Sequence, residues 1–212
     1  MIKRNKNLMI LTSALILLPI LLGLLLWGRL PDRVPSHWNL QGQVDGWSGK
    51  AFSVFFLPLF LLAAHWFIVG CMCLDPKSKN IEGKALALSL WVMPVFCILM
   101  SSFVYASALG VPMDIRFFLA LIFGLMYILV GNYLPKCRPN YTIGIRVPWT
   151  LDNDSVWTAT HRLAGKIWVV CGVVLLLTVF FGYFWPVLLA SVLISSLVPI
   201  LYSIRLSRQD HA

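Results

Sequence analysis

The sequence predicts an all-α polytopic membrane protein, a bundle of six transmembrane helices with N and C termini cytoplasmic. Three observations predict it. The 212 residues are 59% hydrophobic and only 12% charged, against about 45–50% and about 25% for a soluble domain. Apolar runs recur at 8–27, 52–74, 85–109, 117–134, 167–184 and 186–204, each of about 18–25 residues and so long enough to cross a bilayer as a helix. The basic residues, finally, are distributed unevenly over the segments between those runs.

The first run follows Lys3, Arg4 and Lys6. It reads as a retained helix and not as a signal peptide, because it is long and "LLLWGRLPDR" offers no small-residue cleavage site. Helices are the expected form throughout, since a lone strand in lipid leaves backbone groups unpaired at a cost of several kcal/mol each. With the N terminus inside, thirteen Lys and Arg fall on inner segments and four on outer ones (Arg29, Arg33, Lys50 and Arg116), which is the cytoplasmic bias of membrane proteins. The net charge of +9 is therefore read as topology and not as nucleic-acid binding. The fifth and sixth runs are separated only by "GYFWP" at 182–186, a tight outer hairpin with Tyr183 and Trp185 in the interfacial aromatic belt. Pro19, Pro58, Pro94 and Pro199 lie inside spans, where neighbouring helices accommodate them. The five cysteines lie in or beside apolar runs and are read as small apolar residues, not as a disulfide framework or a metal site.

Two polar segments stand out. The outer one is "RLPDRVPSHWNLQGQVDGWSGK", 29–50. Pro31 and Pro35 favour an extended entry, and Asn39 to Gly42 and Asp45-Gly46 are turn signals. Its polar residues admit three readings: a loop whose side chains cap its own turns, a surface for a peptide or other ligand, or a metal site. The last has no strong ligand spacing behind it. The candidate ligand-contacting residues are His37, Trp38, Asn39, Asp45 and Trp47.

The inner one is "GNYLPKCRPNYTIGIRVPWTLDNDSVWTATHRLAGK", 131–166. "YTIGIRVPW" reads as extended. A helix then starts at "LDNDSVW", with Asp152 or Asn153 as N-cap. Trp157, His161, Ala164 and Trp168 share one face of that helix, which reads as a packing or interfacial face. Thr158, Arg162 and Lys166 form a polar and basic face beside it, suited to anionic lipid. His65 lies in mid-span, as a neutral histidine bonded to another helix or as a proton relay. No Asp or Glu lies deep in any span to partner it. No nucleophile elbow, zinc-protease motif or phosphate loop is present. No enzyme activity, catalytic residue, cofactor or metal is expected.

The inner segment resembles the SdpI family of bacterial membrane proteins. The resemblance rests on Gly131-Asn132, Asn140-Tyr141, Gly144-Ile145-Arg146, Pro148-Trp149-Thr150-Leu151, Val156-Trp157, Thr160-His161-Arg162 and Gly165. The outer segment looks like the companion domain of unknown function that often precedes it, through Pro35, His37, Asn39, Gly42, Asp45 and Trp47. The expected division is 1–75, a two-helix unit with the outer loop, and 76–212, an SdpI-like four-helix unit with the loop 131–166. The resemblance implies immunity to a secreted membrane-active toxin peptide at the cell membrane. It also implies a receptor role in which a cytoplasmic winged-helix repressor is sequestered at the membrane. The candidate partner-binding or signalling residues are Asn140, Tyr141, Gly144, Arg146, Pro148, Trp149, Trp157, His161 and Arg162. Membrane lipids are the other expected partners, with no direct contact to nucleic acid. The alternative is a small transporter or channel.

Overall fold

The computed structural model describes residues 5–81 and 83–209; Lys3 and Arg4, counted in the basic bias, lie outside them. Among the described residues, six helices are long and apolar enough to cross a membrane. They are α1 (Lys6–Leu25), α2 (Lys50–Leu74), α3 (Lys84–Ala108), α4 (Ile115–Tyr133), α6 (Asp154–Phe181) and α7 (Phe184–Gln209). A short helix, α5 (Pro148–Asp152), precedes α6, and two strands, β1 (Arg33–Trp38) and β2 (Val44–Gly49), pair antiparallel between α1 and α2. The chain is a multi-pass, all-α membrane protein with one small hairpin. Its packing forms two compact units: Met1–Cys73 with Leu86–Ile115, and Leu74–Ala85 with Arg116–Ala212. The third span packs with the first two.

In the first unit, α3 supplies side-chain donors to the backbone of α1 around Pro19, which has no N–H of its own. Cys97 Sγ lies 3.4 Å from the Ile16 carbonyl, and Tyr105 donates its hydroxyl to the Pro19 carbonyl at 3.0 Å. The close approach of α1 requires Gly23: a Cβ there would lie 2.7 Å from Val54 and 2.8 Å from the Tyr105 hydroxyl. Mid-span, His65 Nε2 lies 3.3 Å from Thr12 Oγ1. That hydroxyl is within reach of the Leu8 and Met9 carbonyls, at 2.9 and 3.1 Å, so the arrangement fits a neutral imidazole donating to Thr12.

In the second unit, α4 and α6 meet through glycines seven residues apart on each helix. A Cβ on Gly172 would lie 2.6 Å from the Gly124 carbonyl, and one on Gly165 would lie 2.7 Å from the Gly131 carbonyl. Lipid provides no hydrophobic drive between helices, so small residues that let backbones touch are a principal source of cohesion. Tyr127 stacks on Trp168 with ring centroids 4.6 Å apart, and its hydroxyl lies 3.3 Å from Ser195 Oγ on α7. Gly182, at φ 73°, ends α6 in the left-handed conformation and turns the chain into α7.

The segment expected as a folded loop at 29–50 is a hairpin that turns at the first of its two expected turn signals, Asn39 to Gly42. Asn39 to Gln43 make the reversal, closed by the Gly42 amide on the Asn39 carbonyl at 2.9 Å, with Gly42 at φ 81°. Asp45-Gly46 is not a turn but lies inside β2, with Gly46 opposite His37. A Cβ on Gly46 would lie 2.8 Å from the His37 Cβ, so glycine is needed there for close strand approach, not for chain reversal.

Candidate functional site

Each of the two units carries one of the polar segments. Lys50 ties the base of the hairpin. Its ammonium donates to the Trp27 and Leu30 carbonyls, both at 3.2 Å, lies 3.4 Å from Asp32 Oδ1 and sits 5.2 Å from the centroid of the Trp27 ring. One face of the hairpin is packed: Val34 is buried, and Trp38 meets Phe103 of α3 edge-on with ring centroids 5.3 Å apart. The other face is open. His37 Nδ1 and Asp45 Oδ1 pair there at 2.5 Å, with side chains 71% and 44% exposed. Trp47, two residues beyond Asp45, is 55% exposed. Asn39 folds the turn itself, its Oδ1 accepting from the amides of Gln41 at 3.0 Å and Gln43 at 2.9 Å. Of the five candidates, then, Asn39 is occupied by its own loop and Trp38 by α3. His37, Asp45 and Trp47 point to solvent.

The second site caps the ends of α4 and α6. Asn140 is its keystone: buried, it accepts from the amides of Thr142 at 2.9 Å and Ile143 at 2.6 Å and donates to the Arg138 carbonyl at 2.8 Å. Trp157, buried, donates its indole N–H to the Cys137 carbonyl at 2.8 Å. His161 stacks on Trp157 at 4.0 Å between centroids. Its Nδ1 donates to the Trp157 carbonyl at 2.8 Å, and its Nε2 accepts from the Ile145 amide at 3.0 Å. Both nitrogens are thereby assigned, and the ring is neutral, because an Nε2–H would face another donor. Gly144, at φ 111°, lies directly against His161 Nε2, leaving no space for a Cβ. Thr150 donates to the carbonyls of Ile145 at 2.8 Å and Val147 at 2.9 Å, and Asn153 caps α6 through the amides of Ser155 and Val156. Burial pushes the Cys137 thiol above its ordinary pKa, an effect that a hydrogen bond from Asn140 opposes. A reactive thiolate is not favoured there.

The remaining candidates lie at the surface of this cap. Tyr141 is exposed, with the Lys77 ammonium 5.6 Å from its ring centroid and its carbonyl accepting from Arg146 Nη1 at 2.7 Å. Pro148 starts α5, and Trp149 donates to Ser203 of α7 at 2.8 Å. Arg146 and Arg162 are exposed.

Sequence reasoning missed Asp75. It is buried; one oxygen accepts from the Lys77 amide at 2.8 Å, and the other accepts from the Tyr141 amide at 2.9 Å and the Thr142 hydroxyl at 2.7 Å. Asn80 adds a bond to the Pro139 carbonyl at 2.6 Å. The chain's only available signal was "LDP" at the end of an apolar run, which marks a helix stop and says nothing of a partner 66 residues away. Chemically, the cap is a set of hydrogen bonds made within the chain, with the buried Thr160 hydroxyl on α6 left without a partner among the described residues. Among the described residues no three His, Cys, Asp or Glu side chains gather as they would around a metal ion.

The SdpI/YfhL protein family matches residues 136–203, and the domain of unknown function DUF1648 matches residues 14–62. These ranges contain the cap, from Lys136 onward, and the hairpin, respectively. The chain is 25% identical over 185 residues, 87% of each chain, to the immunity protein SdpI of Bacillus subtilis (strain 168). No solved structure matches. The DUF1648 match thus precedes the SdpI/YfhL match along the chain, and the similarity to the immunity protein SdpI extends over most of both chains.

Proposed function

We propose that this chain is an immunity protein of the bacterial cell membrane that protects its host from a secreted membrane-active toxin peptide. The observation that carries the reading is the alignment with the immunity protein SdpI over 87% of both chains, which is too long to leave out either polar segment. In this reading the hairpin faces outward, where a peptide arrives, and the cap faces the cytoplasm, in accord with the basic residues clustered on the cap's side of the chain. The exposed His37, Asp45 and Trp47 are the proposed toxin contacts. The exposed Tyr141, Arg146 and Arg162 are the proposed contacts for a cytoplasmic repressor. The buried Asn140, Gly144, Trp157 and His161 hold that surface in shape. A ligand at the hairpin moves the cap only if it binds one arrangement of the helices better than another.

The test is survival. A sensitive strain expressing the chain should outlive its parent when exposed to the cognate peptide, and equal survival at equal membrane content would refute immunity. In the same strain, with the five native cysteines replaced, Ser36→Cys should react with an impermeant thiol reagent in intact cells and Lys79→Cys only after permeabilisation. The reverse pattern would invert the proposed orientation.

A further inference from the structure

The pairing of α6 with α7 leaves an open groove of about 400 Å³. Lys166, Val170 and Val174 line it from α6, and Val187, Ala190 and Ile194 line it from α7. The α6 residues recur every fourth position and so share a face. Five of the six are apolar, and the sixth, Lys166, stands at one end.

The depth of that end follows from length. α6 has 28 residues, about 42 Å at 1.5 Å per residue, against a hydrocarbon core of about 30 Å. Its C-terminal end is apolar to Phe181 and is followed by the interfacial Tyr183, so the excess lies at the Asp154 end. Counting back about 20 residues from Phe181 puts Arg162 at the headgroup boundary. Lys166 is one turn deeper, within the reach of a snorkelling lysine. The groove therefore runs from headgroup depth into the hydrocarbon, with the exposed Lys166 at its mouth and mostly aliphatic walls beyond.

We infer that this groove holds an acyl chain of an anionic phospholipid whose phosphate meets Lys166. The chemistry of the lining matches both parts of such a molecule, and the volume falls within the about 300–1,000 Å³ of small-molecule sites. A second copy of the chain fits less well. Two-fold packing about the membrane normal would set two Lys166 ammonium groups at one depth, and no acid lies in the span to separate them.

The test uses the purified full chain, delipidated in a neutral detergent and offered phosphatidylglycerol and phosphatidylcholine in equal amounts, with bound lipid counted by native mass spectrometry. The wild type should retain phosphatidylglycerol in preference. Lys166→Gln should weaken that retention about fivefold and weaken retention of phosphatidylcholine less, because its choline already offsets the phosphate charge, while Ala190→Trp, which fills the groove from an exposed position, should reduce retention of both. Val170→Trp repeats the groove-filling arm from the other wall if Ala190→Trp does not elute as a single species. Equal retention of the two lipids by the wild type would overturn the inference, as would retention unchanged by Lys166→Gln or by filling the groove. A dimer that Ala190→Trp dissociates would assign the groove to a second copy and overturn it as well.

Discussion

Asn39 and Asn140 do the same work in the two polar segments. Each turns its side-chain oxygen back on two amides a few residues ahead. Asn140 is 1% exposed and Asn39 is only half-buried. The other residues divide the same way. His161 is enclosed between two backbone groups, while His37 meets Asp45 in the open; Trp157 is buried against Cys137, while Trp47 faces solvent. The same residue types are thus structural where water is excluded and available where it is not. In the cap, lost bonds leave orphaned groups that water cannot reach. In the hairpin, water replaces them. Substitutions should therefore separate the two regions by how stability and function change together.

The largest effect is expected at Trp157. Trp157→Ala opens a cavity under the cap and orphans the Cys137 carbonyl, which should lower stability by about 3–5 kcal/mol. Trp157→Phe keeps most of the volume and should recover part of it. The measurement is reversible unfolding of the purified chain in detergent. A variant as stable as the parent would mean that the cap is not a packed unit, and the contrast with the hairpin would collapse.

A smaller loss is expected at Asp75. Asp75→Ala removes the acceptor for the Tyr141 amide, the Thr142 hydroxyl and the Lys77 amide, each worth about 1–3 kcal/mol when left unsatisfied in a buried place. Partial exposure of the loop and relaxation toward water should hold the total near about 2–3 kcal/mol. Asp75→Asn keeps one acceptor oxygen and should fall between the parent and Asp75→Ala. In hydrogen exchange, the amides of Thr142 and Ile143 should lose protection while those in the middle of α4 and α7 keep theirs. Uniform loss across the second unit would mean that Asp75 holds the helices themselves and not the segment that crosses their ends.

The spans were legible in the sequence because lipid imposes one rule on long stretches: apolar side chains and no unpaired backbone. The apolar runs understate α6 and α7, but for α6 the N-cap signal and the shared face of Trp157, His161, Ala164 and Trp168 supplied the missing turns. The first thirteen residues of α6 carry Asp154, Arg162 and Lys166 and do not read as apolar, yet they are helical because one face packs Trp157, His161 and Ala164 beneath the cap. The start itself was readable, since Asn153 is a local cap. The hairpin was not. "VPSHWN" and "VDGWSG" lack clean alternation, and the Asp-Gly signal was overridden when Asn39 closed the five-residue turn to Gln43 with its own side chain. Lys50 and Asp75 were the harder cases. Each reads as an ordinary loop charge, and each gains its role from carbonyls, an amide or a hydroxyl 20 to 67 residues away, distances over which a local pattern carries no information.

The smallest effect on stability, and the largest on the proposed function, is expected on the open face of the hairpin. His37→Ala and Asp45→Ala break a solvent-exposed pair, and such pairs contribute about 0–1 kcal/mol. Trp47→Ala removes a ring that is 55% exposed and so gives up little buried area. The amount of protein in the membrane and the unfolding midpoint should therefore stay within that margin, singly or together. Protection against the cognate peptide should fall in each variant, and most in Trp47→Ala, because exposed aromatic side chains contribute a large share of the energy of protein contacts. Asn39→Ala serves as the internal standard. It disturbs the turn and should lower protection only to the extent that it lowers the amount of folded hairpin. If His37→Ala, Asp45→Ala and Trp47→Ala protect as well as the parent, the open face is not where the peptide binds. If they fail in proportion to a loss of folded protein, the hairpin is a second structural cap, and the distinction between the two regions is one of solvent exposure alone.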